Sequence, residues 1–295
     1  MAGMLTTPGG GVSLPAVRAC AQVIQRAASI TPDGFGNLYF AALGNVPPGA
    51  PFFPAAYHVG EAPSFALACE AADLAVEAFS MASSLEQARQ GLIERMESHA
   101  NILTRVAHEL SEIHAVIFGG IDLTPAPFPE KEHSLGTALE RLGLPAVGLH
   151  GGVAAAAFLA DAIDRAQLPR AGFNGLMFPV LEDATLAERA AAGTLTVRDL
   201  LLYSTVCGTG LDTVPLPGDT SVDQLTAILL DLAALSQRLG KPLTARLMPI
   251  PGKQAGDPTE FEFGYFANSR VMALDAAPLS GLLAGDEIFN LQHRI

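Results

Sequence analysis

Four short apolar runs of this chain end in the same way. "IDLTPAP", "FPVLED", "VPLPGD" and "MPIPGK" each pass from β-like residues into proline, and each carries an ionisable side chain. Proline has no N–H to give a strand ladder, so a proline-rich terminus marks where a strand leaves its sheet. The runs themselves, "AVIFGGIDL", "GFNGLMFPVL", "LDTVPL" and "LTARLMPI", are separated by segments of helical period. Strands alternating with helices specify an α/β architecture with mainly parallel pairing. In such folds, barrels included, the loops beyond the strands' carboxyl ends gather around the ligand, so the four exits are expected to wall a site.

The helical segments are read from their apolar spacing. Ser13 before Leu14-Pro15 is an N-cap and helix start, with Val17, Cys20, Ile24 and Ala28 on one face and an end near Ser29. Phe65, Cys69, Ala72, Val76 and Phe79 also fall at helical spacing, and Leu92, Met96, His99, Leu103, Val106, Leu110 and Ile113 form a longer stripe. Val222, Leu225, Leu229, Leu232, Leu235 and Leu239 make another, opened by Asp219-Thr220-Ser221 and stopped by Gly240. "GNLYFAAL", Gly36 to Leu43, reads as a strand before the loop "GNVPPGAPFFP".

Composition narrows the function classes. A chain of 295 residues with 49% hydrophobic and 16% charged residues buries a sizeable core, and α/β barrels of this length fold as one domain, so residues 1–295 are taken as a single unit. A formal net charge of −13, with 17 basic residues scattered singly, argues against nucleic acid as a partner. Asp161 and Asp231 interrupt the best apolar runs, the N-terminus lacks a signal-peptide pattern, and no membrane partner is expected. Three cysteines without metal-type spacing fit a reducing cytoplasm.

Candidate chemistry concentrates at the strand exits. Cys207 opens "CGTG", a turn whose backbone N–H groups could stabilise a thiolate or bound anion, whereas Cys20 and Cys69 sit on apolar stripes as small hydrophobes. Asp122, Asp183 with its neighbour Glu182, Asp212 and Asp219 can act as general bases or polar anchors; for Asp219 a helix cap is the competing role, and for Glu182-Asp183 the acidic first turn of a helix. Arg246 and Lys253 are suited to a carboxylate or phosphate. His99, on the apolar stripe of a long helix, is read either as a core histidine or as a general base. No HExxH, serine-hydrolase elbow or dinucleotide fingerprint occurs, so the residues select no metal and no cofactor.

"DGFGNLYFAALGNVPPGAPFFPAAYH", "GGIDLTPAPFPEKEHSLGTALERLG", "GFNGLMFPVLEDATLAER", "LLYSTVCGTGLDTVPLPGDTS" and "RLMPIPGKQAGDPTEFEFGYFANSRVM" together closely resemble domain-of-unknown-function family 711, also called uncharacterised protein family 0210. The resemblance implies a pyruvate formate-lyase-like fold, a ten-stranded α/β barrel with a hairpin inside it, and places Cys207 on that hairpin. Longer relatives carry a segment before the helix that here begins at Leu14, which implies a barrel short of some elements and an apolar edge open to self-association. The glycyl-radical signature is missing near the C-terminus, so radical chemistry is not expected.

The leading expectation is a cytoplasmic, non-radical enzyme acting on a small anionic metabolite. In it Cys207 is nucleophile or acid/base, Asp122, Asp212 and His99 move protons, and Arg246, Lys253, Asp219 and Asp183 hold the substrate. The rival is a non-catalytic ligand-binding or regulatory protein for an amino-acid-like metabolite or a divalent cation. A homo-oligomer with a structural role is the third reading.

Overall fold

The computed structural model describes residues 1–7, 10–206 and 209–293. In order, the elements are β1 (Ala2–Met4), β2 (Gly11–Ser13), α1 (Leu14–Ala28), β3 (Ala41–Gly44), β4 (Ser64–Ala68), α2 (Ala72–Met81), α3 (Leu85–His114) and β5 (Ile117–Asp122). They continue with α4 (Leu135–Arg141), α5 (Gly152–Arg165), α6 (Ala184–Ala191), α7 (Val197–Tyr203), β6 (Gly210–Pro217), α8 (Val222–Leu239), β7 (Leu243–Ile250) and β8 (Ile288–Asn290).

The main helices start and stop where local chemistry requires. Ser13 caps α1 by accepting from the Ala16 N–H at 3.3 Å, and its buried line Leu14, Val17, Cys20, Ile24 follows the helical period. α8 opens with a reciprocal box, in which Ser221 accepts from the Gln224 N–H and the Gln224 side chain accepts from the Ser221 N–H. It closes at Gly240, whose φ of 64° is left-handed. Asp219, expected within the cap, is instead exposed and accepts from Gln254 Nε2 at 3.3 Å.

A four-stranded sheet, ordered β1-β3-β7-β6, carries the architecture. β1 and β3 run parallel, as do β6 and β7, but β3 and β7 are antiparallel, so the sheet is mixed rather than mainly parallel. β7 is buried along its whole length, and its alternate residues divide two environments. Leu243, Ala245 and Leu247 join the main core with Val17 and Ile24 of α1 and Leu229 and Leu232 of α8. Thr244 and Arg246 line a cavity on the other face, while Met248 and Ile250 enter a smaller core with Leu38, Phe261 and Phe266. A second sheet, two-stranded, pairs β4 with β5 in parallel, and a third, also two-stranded, pairs β2 with β8 antiparallel. Among the described residues the strands do not close into a barrel.

Several local expectations are corrected. Phe65–Cys69 does not begin a helix: residues 64–68 form β4, and helix starts only at Ala72. The five apolar positions fit helical spacing, but pairing with β5 fixes Ser64, Phe65, Leu67 and Ala68 as a strand. Residues 35–39 make a 3-10 turn, leaving only Ala41–Gly44 as strand. Residues 172–181 form no ladder, although Pro179 bridges Asp212 beside β6. On α3 the buried line runs Leu92, Met96, Ala100, Ala107, and His99 faces solvent. Val106, Leu110 and Ile113 of the same predicted stripe are also exposed.

Asp183 ties two helices together. Its carboxylate accepts from Ser134 Oγ at 2.6 Å and the Gly136 N–H at 3.1 Å at the start of α4, and from the Thr185 and Leu186 N–H groups, both at 2.9 Å, at the start of α6. Asp183→Ala removes a cap and leaves buried donors unpaired, so a loss of roughly 2–4 kcal/mol is expected in urea denaturation. A variant as stable as the parent would show that this carboxylate does not hold the two helices.

Candidate functional site

An irregularity in β6 builds the site. Leu211 pairs with Ala245 and Val214 with Leu247, so two residues, Asp212 and Thr213, stand opposite Arg246 alone. The extra residue returns Val214 and Leu216 to the main core, where a regular register would have turned them to the other face. Thr213 takes the cost, at a φ of 38° that β-branched residues rarely adopt. It also has a use: the Leu181 N–H donates to Thr213 Oγ1 at 3.3 Å, and the Val180 N–H to the Asp212 carbonyl at 3.0 Å. The bulge therefore presents Asp212 to Arg246 and docks the segment that carries Glu182.

The three side chains meet in an ion cluster. Arg246 Nε donates to Asp212 Oδ1, and Nη2 donates to Asp212 Oδ2 at 2.8 Å, a two-pronged pair. Nη2 also reaches Glu182, with Oε1 at 3.0 Å and Oε2 at 3.1 Å. The side chain of Arg246 is 9% exposed and that of Asp212 5%, whereas Glu182 is 20% exposed. Burial pushes the Glu182 carboxyl up to about 7; Arg246 pulls it back, and the charges of Asp212 and Glu70 add to the rise. Burial alone would lower Arg246, but Asp212 and Glu182 hold it above its ordinary value.

Beside the cluster lies a cavity of about 290 Å³. Phe52 and Phe53 from the loop after β3, Phe173 and Met177 from the 172–181 segment, and Pro127 from the exit of β5 form its walls. Glu70, just past β4, stands at its rim, and Glu182, Asp212, Thr209, Thr244 and Arg246 complete it. A second cavity of about 200 Å³ shares Phe53, Glu70, Pro127, Glu182 and Arg246, so the ion cluster borders both. Among the described residues no group of three or more histidine, cysteine or acidic side chains is arranged to hold a metal ion.

Of the residues expected from sequence, the cavity brings together Asp212 and Arg246. Asp122 is fully buried and spent internally: it accepts from Thr124 Oγ1 at 2.6 Å, the Thr124 N–H at 3.1 Å, the Phe173 N–H at 2.6 Å and the Asn174 N–H at 2.9 Å. Burial raises its pKa against the pull of those bonds. Its effect on the cavity is indirect, through Phe173. Gly172 permits the close approach, since a Cβ there would lie 2.2 Å from Asp122 Oδ2 at a φ of 74°. Asp183 is likewise occupied by its two helices, and burial raises it too. Lys253 pairs with Glu260 at 2.6 Å and, like Asp219, does not line the cavity. The exits of β6 and β7 meet each other instead, through the Gly218 N–H and the Lys253 carbonyl. His99 is exposed on α3, and Cys207 lies outside the described residues. The sequence reading named Glu182 beside Asp183 among the candidate carboxylates but gave it no role in the leading expectation, and nothing local marks Glu70.

The chain belongs to the family described as "Uncharacterised ACR (DUF711)", whose match covers residues 4–268. It is 36% identical over 255 residues to a UPF0210 protein of Pyrobaculum aerophilum, covering 84% of this chain and 56% of that protein. It is 33% identical to UPF0210 proteins of Clostridium perfringens over 264 residues and of Neisseria meningitidis over 260, each covering 85% of this chain and 58% or 57% of theirs. The chain thus spans a little over half the length of these relatives. No helix among the described residues is long and apolar enough to cross a membrane.

The raised Glu182 carboxyl has a consequence for stability. The folded chain binds this proton more tightly than the unfolded chain, so its contribution is present below the ordinary glutamate value of 4.5 and is lost as pH rises through about 7. Glu182→Gln removes the titration while Arg246 keeps Asp212. Thermal denaturation of both proteins between about pH 5 and pH 8 should show the Gln variant gaining on the parent as pH rises. A difference that does not change with pH would contradict a raised Glu182.

Proposed function

We propose that this member of the family is an acid–base enzyme acting on a small metabolite held in the cavity beside Arg246, with Glu182 exchanging a proton with it. One observation carries the reading: a carboxyl that titrates at about 7 stands at the mouth of a cavity large enough for a small molecule. A group that titrates near the working pH is present in both protonation states and gives or takes a proton at low cost. Asp212 is a positioning residue in this proposal, fixing the guanidinium that in turn contacts Glu182. Cys207 precedes the cavity-lining Thr209 by two positions, and the proposal assigns its thiol to the same site. The closed barrel stays part of the proposal. Its support is that β5 is paired in parallel on both sides, with β4 and through the Ile121–Arg170 bridge, as strands inside a larger parallel sheet ordinarily are.

The test begins with thermal-shift screening against small metabolites, because a ligand bound only by the folded state raises its apparent stability. Bound compounds should be turned over with a pH profile that bends near 7, and Glu182→Gln should slow turnover by about 10²–10⁴-fold. Ala68 is exposed at the cavity wall, so Ala68→Phe narrows the cavity without burdening the core. Hits that stabilise Ala68→Phe equally well would place the ligand elsewhere. Binding without turnover would leave a ligand-binding protein in place of an enzyme. Saturating ligand should also slow alkylation of Cys207 in peptide mass spectra, and an unchanged rate removes that thiol from the site.

A further inference from the structure

The charges around the cavity do not balance. Asp212, Glu182 and Glu70 bring three carboxyl groups against the one guanidinium of Arg246, and that guanidinium already gives Nε and Nη2 to Asp212 and Glu182. A second anion entering here would face uncompensated carboxylates. Yet Arg246, more than nine-tenths buried, makes no hydrogen bond through Nη1 among the described residues. Nη1 is not sealed off, so it remains an uncommitted donor for a ligand's acceptor atom. The rings of Phe52, Phe53 and Phe173 supply apolar walls with π faces that attract a cation. At roughly 30 Å³ per water, a volume of about 290 Å³ equals about ten waters, which suits a small molecule.

We infer that the ligand is a compact apolar molecule bearing an ammonium group next to an acceptor oxygen. The ammonium lies against Glu182 and Glu70, the acceptor meets Arg246 Nη1, and the apolar body lies on the phenylalanine rings. This assignment rests on the cavity being the functional site and specifies its ligand. It replaces the small anionic metabolite expected from sequence: Arg246 is present, but its positive charge is already matched. The occupant fits because it adds the positive charge that the three carboxyl groups lack, where an anion would add to their excess.

Three probes with a similar branched apolar body separate the head groups: leucinamide, with ammonium and carbonyl; isopentylamine, with ammonium alone; and 4-methylpentanoate, with carboxylate alone. Thermal shift and calorimetric titration at a pH of about 7.5, above the titration of Glu182 and where an α-amino group is still largely protonated, should rank them. Leucinamide is expected to bind about tenfold more tightly than isopentylamine, a difference of about 1.4 kcal/mol, and 4-methylpentanoate not to bind. Glu70→Gln, at an exposed rim position, should weaken both amines. The inference is overturned if 4-methylpentanoate binds as well as isopentylamine, or if the three probes behave alike, lack of response included. If the amines bind Ala68→Phe as tightly as the parent, the cavity is not their site, and the proposed function fails together with this assignment. An anion-selective response abolished by Ala68→Phe would overturn the ligand class alone.

Discussion

A guanidinium in a strand buried on both faces cannot shed its charge, because arginine stays protonated at any pH a protein meets. Arg246 places such a group in the middle of β7, where all eight residues are buried. The strand can be tolerated there only with a carboxylate in hydrogen-bonding geometry, since an unpaired buried charge costs about 3–5 kcal/mol. Asp212 meets that demand because the bulge in β6 sets two residues opposite Arg246. Thr213, at positive φ, is the local cost of that arrangement. The same two residues receive the backbone of Val180 and Leu181, so the placement of Glu182 follows from the pairing of the central strands.

One carboxylate would have neutralised Arg246, yet the structure supplies a second at 3.0 Å and a third at the cavity rim. A structural ion pair has no need of the excess. Burial is the main reason Glu182 holds its proton to about 7; Arg246 opposes it, and the charges of Asp212 and Glu70 add to the rise. Asp122 and Asp183 make a useful contrast. Burial raises both, but each accepts four hydrogen bonds from the chain itself. Their lone pairs are occupied by the fold. Among the described residues Glu182 accepts only from Arg246, and it lines the cavity, so its remaining capacity is available to a ligand.

Much of this was legible along the chain, and the misses have physical causes. α1 and α8 were readable because cap, apolar stripe and stop signal agree at each. β6, β7 and the exit of β5 were marked by their prolines. Exposure on α3 was not, because periodicity gives the spacing of apolar residues but not which stripe faces the core; Ala100 and Ala107 do, and His99 does not. At "FPVLED" the choice between neighbouring acids was decided by tertiary structure. Asp183 turned to the helix starts, which freed Glu182 for the cavity. The proline exits were informative only in part: those carrying Pro127 and Glu182 reach the cavity, while those of β6 and β7 close on each other. Asp212 and Arg246 contribute from within their strands, a position no exit signal marks.

Glu70, Glu182, Asp212 and Arg246 all fall inside the stretch 4–268 that matches the family, although the chain spans a little over half the length of the relatives compared. The ion cluster is therefore assembled from the matched part alone. The two strands that carry Asp212 and Arg246 are neighbours in one sheet, β6 and β7, joined through α8, which packs on β7. Their register is set by the core face, where Leu211, Val214, Ala245 and Leu247 are buried, and slipping it by one residue would send Arg246 into the main core beside α1 and α8. The apolar residues on one side of the sheet thus fix the charged residues on the other. A cavity that faces a strand locked in this way has its polar groups positioned before any ligand arrives, which is the condition under which a few hydrogen bonds can decide what binds.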